Sequence, residues 1–209
     1  MGNAAWSAQP HSSADEQGVA IVPIDIDFDF ISAREGGRQL DGYVPAANVS
    51  RSGVTIATGF DLGQCNALDL RRLGLPGALI EQLSPYLGLQ GLEARRYLEE
   101  HPLRIERSEA MTIDEAVKAA HVREVAHAYN TSELNVAQVP FSELPPQAQT
   151  VIASVSFQYG VNLRARTPRL WRAVTAQDWA RAIAELRDFG DAYPTRRGLE
   201  ADLLEQALQ

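Results

Sequence analysis

The sequence predicts an α+β fold in which a small N-terminal β lobe packs against a larger helical lobe, with a ligand cleft between the two. Two patterns carry this prediction. Residues 41–61 contain two β-like runs, DGYVPA and VTIATG, separated by a polar turn near residues 48–53. From residue 65 onward the sequence is helical with short breaks. We therefore expect the β lobe at about residues 38–64 and the helical lobe at about residues 65–209.

The segment before the β lobe has two interpretations. Residues 1–20 are polar, small and aperiodic, which predicts a flexible tail before a domain at residues 21–209. The following run, IDIDFDF, alternates apolar and acidic residues as a strand does, but FISARE followed by two glycines is typical of a short helix. We favour the helix, with Asp27 or Asp29 as its N-cap and Glu35 near its end.

The helical lobe divides at glycines and prolines. A long helix is expected to begin at Thr112, which has the capping-box spacing with Glu115. The segment GLEARRYLEEH is expected to form a helix that ends near His101–Pro102. The remaining expected helices are LDLRRLG, GALIEQLSPYLG, LPPQAQTVIASVSFQYG and two around Ala176–Asp188 and Pro194–Leu208.

Composition and charge exclude several functions. The 209 residues carry 27 acidic and 19 basic side chains, a net charge of −8, whereas nucleic-acid binding needs basic groups that contact phosphates. No run of 18 apolar residues is present, so we expect no membrane insertion. The single cysteine, Cys65, excludes an intrachain disulfide, and the four histidines lack metal-ligand spacing. We therefore expect no metal and no cofactor.

The N-terminal sequence has no recognisable signal peptide. Its first 30 residues contain no Lys or Arg, and no long apolar run follows them. We therefore expect synthesis in the cytoplasm, so that a substrate outside the cytoplasm would be reached through another delivery system.

Three polar residues around the glycine-rich β element form a candidate catalytic group: Glu35, Thr55 and Asp61. A carboxylic acid can protonate the leaving oxygen of a glycosidic bond, while a hydroxyl and a second carboxylate position and activate a water on the opposite face. In an extended strand, residues 55, 57, 59 and 61 would share a face, with only small residues between the Thr and the Asp. Each residue also has an ordinary interpretation: a solvated helix end, a strand threonine, and a helix cap or turn.

The run VTIATGFDLGQ at residues 54–64 resembles the catalytic region of phage-type lysozymes and, more closely, pesticin-type domains. In these domains a helix-borne Glu precedes a GYVP-like strand, and a VTIGTGFDLGQ-like segment carries the catalytic Thr and Asp. Here Ala57 stands in place of a glycine. The resemblance covers about residues 28–209. It implies a lysozyme-like fold in which Glu35 is the general acid, while the Thr and the Asp of the run hold and activate the water.

Two shorter matches extend the resemblance into the helical lobe. SFQYG at residues 156–160 is similar to a VFQMG stretch on the central helix of phage lysozymes, which implies that Gln158 lines the cleft. YPTRRGLEADLL at residues 193–204 is similar to the family's late helix, which begins Thr-Pro-x-Arg and places Arg196 near the acid. Without the resemblance, Gln158 is a helix-flank amide and Arg196 a solvated arginine at a helix start. Tyr43 is a further candidate for the cleft wall and for substrate binding.

The second carboxylate departs from the phage pattern. Phage lysozymes place their catalytic Asp soon after the Glu, but Val44 and Pro45 stand at the corresponding place here. The nearest acid, Asp41, comes just before Gly42, and we interpret it as a turn residue. Asp61, which follows the Thr as in pesticin-type domains, is therefore our candidate for the water-activating carboxylate.

The resemblance implies a muramidase that hydrolyses the β-1,4 bond between N-acetylmuramic acid and N-acetylglucosamine in peptidoglycan, with inversion at the anomeric carbon. Two alternatives stay open: a lytic transglycosylase, which needs the acid but no activated water, and a non-catalytic peptidoglycan-binding module. Pesticin-like domains occur in bacteriocins, secreted effectors and phage lysis proteins. We therefore expect a monomer that acts on the cell wall after delivery. For a toxin, an immunity protein that plugs the cleft would be a further partner.

Overall fold

The computed structural model describes residues 23–32 and 37–208 of the chain. Three short strands, β1 (Gln39–Tyr43), β2 (Thr55–Ala57) and β3 (Phe60–Asp61), form an antiparallel sheet in chain order. The α-helices are α1 (Phe28–Ser32), α2 (Ala67–Arg72), α3 (Gly77–Leu83), α4 (Gly91–Glu100), α5 (Arg107–Asn130), α6 (Pro146–Tyr159), α7 (Leu163–Arg166), α8 (Pro168–Thr175), α9 (Trp179–Arg187) and α10 (Pro194–Glu205). A small sheet followed by many helices confirms the predicted α+β class. None of the described helices combines the length and the apolar character that crossing a bilayer requires.

The second half of the sheet is a tight hairpin. Strands β2 and β3 pair antiparallel, with Thr55 directly opposite Asp61. The chain reverses between them because Ala57 and Gly59 both adopt left-handed backbone angles, with φ of +51° and +90°. The prediction of one extended strand over residues 55–61 is therefore wrong.

Strand β1 contains Asp41, which we expected in a turn. The N–H of Gly42 donates to the carbonyl oxygen of Leu103 at 2.8 Å, so the strand pairs with the segment after α4 as well as with β2. Arg104 forms a β-bridge with Asp41 and donates to both of its carboxylate oxygens, at 2.7 and 2.9 Å. The turn prediction is wrong because this pairing joins residues 63 positions apart, which a local sequence pattern cannot show.

Most of the predicted helices are confirmed, but α5 begins earlier than expected. Its first residue is Arg107, and Glu106 and Glu109 form the capping box that we expected from Thr112 and Glu115. Thr112 lies inside the helix instead, where its hydroxyl donates to a backbone carbonyl one turn earlier at 3.0 Å. The sequence patterns did not predict α7 and α8, two short helices that lie between the predicted helix LPPQAQTVIASVSFQYG and the predicted helix around Ala176–Asp188.

At the N-terminal side of the described chain, Asp27 caps α1. Its Oδ1 accepts a hydrogen bond from the backbone N–H of Phe30 at 2.7 Å, which confirms one of the two expected N-caps. The predicted tail at residues 1–20 and the helix end at Glu35 lie outside the described residues.

The buried apolar residues form two main clusters that share helix α5. One cluster joins β2 to α2, α3, α4 and the first turns of α5, and the other joins the last turns of α5 to α6–α10. A small third cluster, made of Ile31, Val122 and Ala153, connects α1 to α5 and α6. The sheet is therefore packed against the same helix that supports the C-terminal helices, which places a cleft along α5. The lobe boundary near residue 65 stays a prediction.

Candidate active site

Three of the predicted site residues lie in one row across the sheet. Tyr43 of β1 is opposite Thr55 of β2, and Thr55 is opposite Asp61 of β3. Directly opposed residues of antiparallel strands project their side chains on the same face. Thr55 and Asp61 therefore share a face, as we expected, although a hairpin and not an extended strand brings them together. Tyr43 is 40% exposed, whereas Thr55 is only 4% exposed.

The carboxylate of Asp61 is held by backbone N–H groups. Its Oδ1 accepts hydrogen bonds from Gly53 at 2.8 Å and from Gly63 at 2.9 Å. Through the second bond Asp61 is the N-cap of a 3-10 helix, Leu62–Gln64, so the ordinary interpretation of this residue as a cap is confirmed. No described residue donates a hydrogen bond to Oδ2. One oxygen therefore fixes the orientation of the carboxylate, and the other is left for a ligand or a water.

The two glycines that hold Asp61 pack directly against each other. A Cβ on Gly63 would lie 2.5 Å from the carbonyl oxygen of Leu89 and 2.6 Å from the Cα of Gly53. A Cβ on Gly53 would lie 2.4 Å from the Cα of Gly63. Only glycine fits at both positions, and this close approach is what directs both N–H groups toward one carboxylate oxygen. We did not predict this role, although both glycines stand beside the VTIATGFDLGQ run or within it.

Replacing Gly63 with alanine is expected to destabilise the protein by about 2–3 kcal/mol, since backbone atoms cannot move aside as a flexible side chain can. The matched control is Gly77→Ala at the start of α3, where an added Cβ meets nothing within 4 Å and Ala favours the helix. Denaturant unfolding of both variants measures the difference. Equal stabilities of the two variants would show that the Gly53–Gly63 contact does not constrain the site.

Asp61 faces a cavity of about 320 Å³ between the sheet and two helices. Its walls come from the β2–β3 hairpin and the residues after it, from α5 and from α6. The lining residues are Thr58, Gly59, Phe60, Asp61, Gln64, Cys65, Asp114, Val117, Lys118 and Phe157. This is the cleft that the fold class predicts. Thr55 is not among the lining residues, and its hydroxyl donates to the carbonyl oxygen of Gly53 at 3.3 Å.

Contacts across the cleft tie its walls together. Asp114 of α5 accepts hydrogen bonds from Thr58 of the hairpin and from Arg38 just before β1. The ammonium of Lys118 donates to the hydroxyl of Ser32, the last residue of α1, at 2.6 Å. No sequence pattern pointed to these contacts, since each joins residues more than 50 positions apart.

Other features of the cleft give no support to thiol or metal chemistry. Burial raises the pKa of the Cys65 thiol, and the nearby carboxylates of Asp69 and Asp61 raise it further, which favours the unreactive protonated form. Within residues 23–32 and 37–208, no three His, Cys, Asp or Glu side chains lie close enough together to hold a metal ion.

The remaining predicted site residues have different outcomes. Glu35 lies outside the described residues. Gln158 directly follows Phe157 on α6, and its Oε1 is buried with no hydrogen-bond donor among the described residues. Arg196 is not the solvated arginine of the ordinary interpretation, since its side chain is 12% exposed and donates to Ser154 and Glu200. The substrate-binding roles of Gln158, Arg196 and Tyr43 stay predictions.

A hairpin that presents a fixed carboxylate to a cleft along a long helix, with a helical C-terminal half, defines an α+β protein of the lysozyme-like class. The sequence model of the family described as "Pesticin: Bacterial toxin homologue of phage lysozyme, C-term" matches residues 25–180. The chain therefore belongs to the pesticin family, which supports a lysozyme-like, peptidoglycan-related function. The match includes Glu35, Thr55 and Asp61, and it ends before Arg196. No curated protein matches the chain.

Proposed function

We propose that the protein is a muramidase that hydrolyses the β-1,4 bond between N-acetylmuramic acid and N-acetylglucosamine in peptidoglycan. The observation that carries the proposal is the geometry of Asp61. Asp61 lies opposite Thr55 in the hairpin, and its carboxylate faces the cleft and is fixed through Oδ1 alone. A carboxylate held in this way can take a proton through Oδ2 without losing the hydrogen bonds that orient it.

The proposed reaction is a single displacement with inversion. Glu35 donates its proton to the glycosidic oxygen as the bond from that oxygen to the anomeric carbon breaks. A water oriented by Asp61 attacks the anomeric carbon from the opposite face and gives a proton to Asp61. The hydroxyl of Thr55, which donates to the carbonyl oxygen of Gly53, would have to turn away from that oxygen to help position the water. The two carboxyl groups of an inverting enzyme lie about 6.5–9.5 Å apart, which leaves room for that water.

The described chain on both sides of Glu35 is anchored at the same cleft, which supports the proposed role of Glu35. The described residues on both sides of it are anchored there: Ser32 to Lys118, at 2.6 Å, and Arg38 to Asp114, also at 2.6 Å. Both anchoring residues line the cavity.

Digestion of purified sacculi with analysis of the products tests the proposal. Hydrolysis gives fragments with reducing N-acetylmuramic acid ends, and NMR of the first products should show the inverted anomer. Anhydro-sugar ends would instead indicate a lytic transglycosylase. Binding to sacculi without any loss of turbidity would indicate a non-catalytic module.

Glu35→Gln is expected to reduce lysis by about 10²–10⁴-fold, because glutamine cannot protonate the leaving oxygen. Its thermal unfolding should match that of the wild type, which separates loss of the acid from loss of the fold. If the folded variant still clears peptidoglycan at the wild-type rate, Glu35 is not the acid.

A further inference from the structure

We propose that Asp114 is a positioning residue for the β2–β3 hairpin. It holds the hairpin against α5, so that Asp61 keeps one orientation toward the cleft, and we call its hydrogen bonds to Thr58 the clamp. The inference rests on the proposed function for its effect on the rate, but the clamp itself can be tested without any activity. It assigns a role to a buried carboxylate that the mechanism does not use.

Asp114 is bound through both of its oxygens. Its Oδ1 accepts from the backbone N–H of Thr58 at 3.0 Å, and its Oδ2 accepts from the Thr58 hydroxyl at 2.9 Å and from Nε of Arg38 at 2.6 Å. Asp114 is 7% exposed. A carboxylate with so little access to water needs such partners, and here they come from two segments of the sheet region.

The turn that Asp114 holds is strained and stands on a short ladder. Thr58 is the middle residue of the reversal between β2 and β3, and the preceding Ala57 has φ of +51°, an angle that a residue with a Cβ adopts at a cost. The ladder beyond the turn contains only two residue pairs. A strained turn on so short a ladder persists when neighbouring groups hold it, and Asp114 binds its central residue twice.

The clamp acts on Asp61 through the backbone of the hairpin, since Thr58 stands three positions before Asp61. The hairpin is fixed at one end by Gly53 and Gly63, which hold the Asp61 carboxylate, and at the other end by Asp114. Because Asp114 lies on α5 and also lines the cavity, it sets the spacing between the hairpin and the opposite wall of the cleft. Loss of the clamp would leave the Asp61 hydrogen bonds intact but would allow the hairpin to move relative to α5.

Asp114→Asn tests this with little change of shape. Asparagine has one acceptor oxygen in place of two, so whichever way its amide turns, its NH₂ group faces a hydrogen-bond donor. Thr58→Val is a second variant, which removes only the hydroxyl donor and keeps the backbone N–H. Glu115→Gln is the matched control, since Glu115 is the adjacent acidic residue on the same helix and is exposed.

We expect Asp114→Asn to lower kcat on peptidoglycan by about 10–100-fold, with KM changed less than twofold, because a small misplacement of a catalytic group slows the chemical step. Thr58→Val should act in the same direction with a smaller effect, and Glu115→Gln should have none. Rates are measured well below the unfolding transition and are normalised to the folded fraction. A wild-type kcat per folded molecule in both Asp114→Asn and Thr58→Val would overturn the proposal.

Amide hydrogen exchange separates a failure of the clamp from a failure of the proposed function. In Asp114→Asn, exchange at residues 57–61 should accelerate at least tenfold relative to the wild type, while the amides of α6 keep their protection. If Asp114→Asn does not fold, the exchange measurement is made on Thr58→Val instead. If the wild type does not cleave peptidoglycan but the turn loses protection, the proposed function is wrong and the clamp is supported. Unchanged exchange at the turn in the folded variants would reject the clamp.

Discussion

Replacing Asp61 with asparagine is expected to lower the rate of peptidoglycan hydrolysis by about 10²–10⁴-fold while the protein stays folded. The amide oxygen of asparagine can take the place of Oδ1 and accept the same hydrogen bonds from Gly53 and Gly63. The NH₂ group in place of Oδ2 cannot accept a proton from the attacking water. The substitution therefore removes the proposed base and keeps the cap.

Comparison with Asp61→Ala separates the role of Asp61 as the proposed base from its role as an N-cap. Alanine loses the cap as well, so we expect it to be less stable than the asparagine variant by about 1 kcal/mol, and equally inactive. The measurements are steady-state rates on sacculi and thermal unfolding of both variants. Equal stability of the two would mean that the hydrogen bonds to Oδ1 contribute little to the fold.

The matched control is Asp41→Asn, which tests the choice between the two aspartates. Asp41 is bound by both of its oxygens to Arg104, on an exposed part of β1, and we expect its substitution to leave the rate unchanged. A loss of activity in Asp41→Asn together with full activity in Asp61→Asn would reverse the assignment and favour the phage pattern.

The pairing of Thr55 with Asp61 shows what a sequence can and cannot predict about this site. Their common face follows from the spacing in either geometry, because residues an even number of positions apart in a strand and directly opposed residues in a hairpin both project to one side. The reversal itself could not be predicted, since an alanine at position 57 does not signal a left-handed turn. The next residue, Thr58, is bound by Asp114 of α5, which lies 56 positions away in the sequence.

The difference between local signals and contacts that join distant parts of the chain also explains the outcome for the rest of the fold. Helix α4 ends where predicted because His101–Pro102 stops it through local chemistry. Asp41 lies in a strand because Arg104 and its neighbours pair with it, and Asp114 is buried because the hairpin packs on it. Those two environments exist only after the chain has folded. The roles of Gly53 and Gly63 belong to the same class, since a close approach of two backbones has no periodic signal.

Replacing Glu200 with glutamine is expected to destabilise the protein by about 3 kcal/mol, the lower end of the range for breaking a buried ion pair. Glu200 is fully buried on α10 and accepts hydrogen bonds from Arg196, Arg197 and, at 2.5 Å, from the hydroxyl of Ser154 on α6. This cluster joins α10 to the helix that carries Phe157 and Gln158. Its charged members on α10 lie beyond the segment that matches the family, so we derive the effect from burial alone.

The cost arises from the cations that would remain. Burial raises the pKa of Glu200, and Arg197, Ser154 and Arg196 oppose that rise without cancelling it, so the pair is not a large net source of stability. Arg197 is 1% exposed, and without Glu200 its guanidinium would keep Asp191, at 3.1 Å, as its one acidic partner among the described residues. An inadequately compensated buried charge is what makes removal of one partner so costly.

Thermal unfolding of Glu200→Gln and Glu205→Gln provides the comparison. Glu205 lies on the same helix and pairs with Arg187 at 2.7 Å, but both side chains are exposed, so its substitution should cost less than about 1 kcal/mol. For a chain of this length, about 3 kcal/mol corresponds to a fall of roughly 6–12 °C in Tm. If Glu200→Gln lowers Tm no more than Glu205→Gln does, the buried cluster does not hold α10 on α6. The hydrogen bonds of Glu200 would then contribute little to the free energy of unfolding.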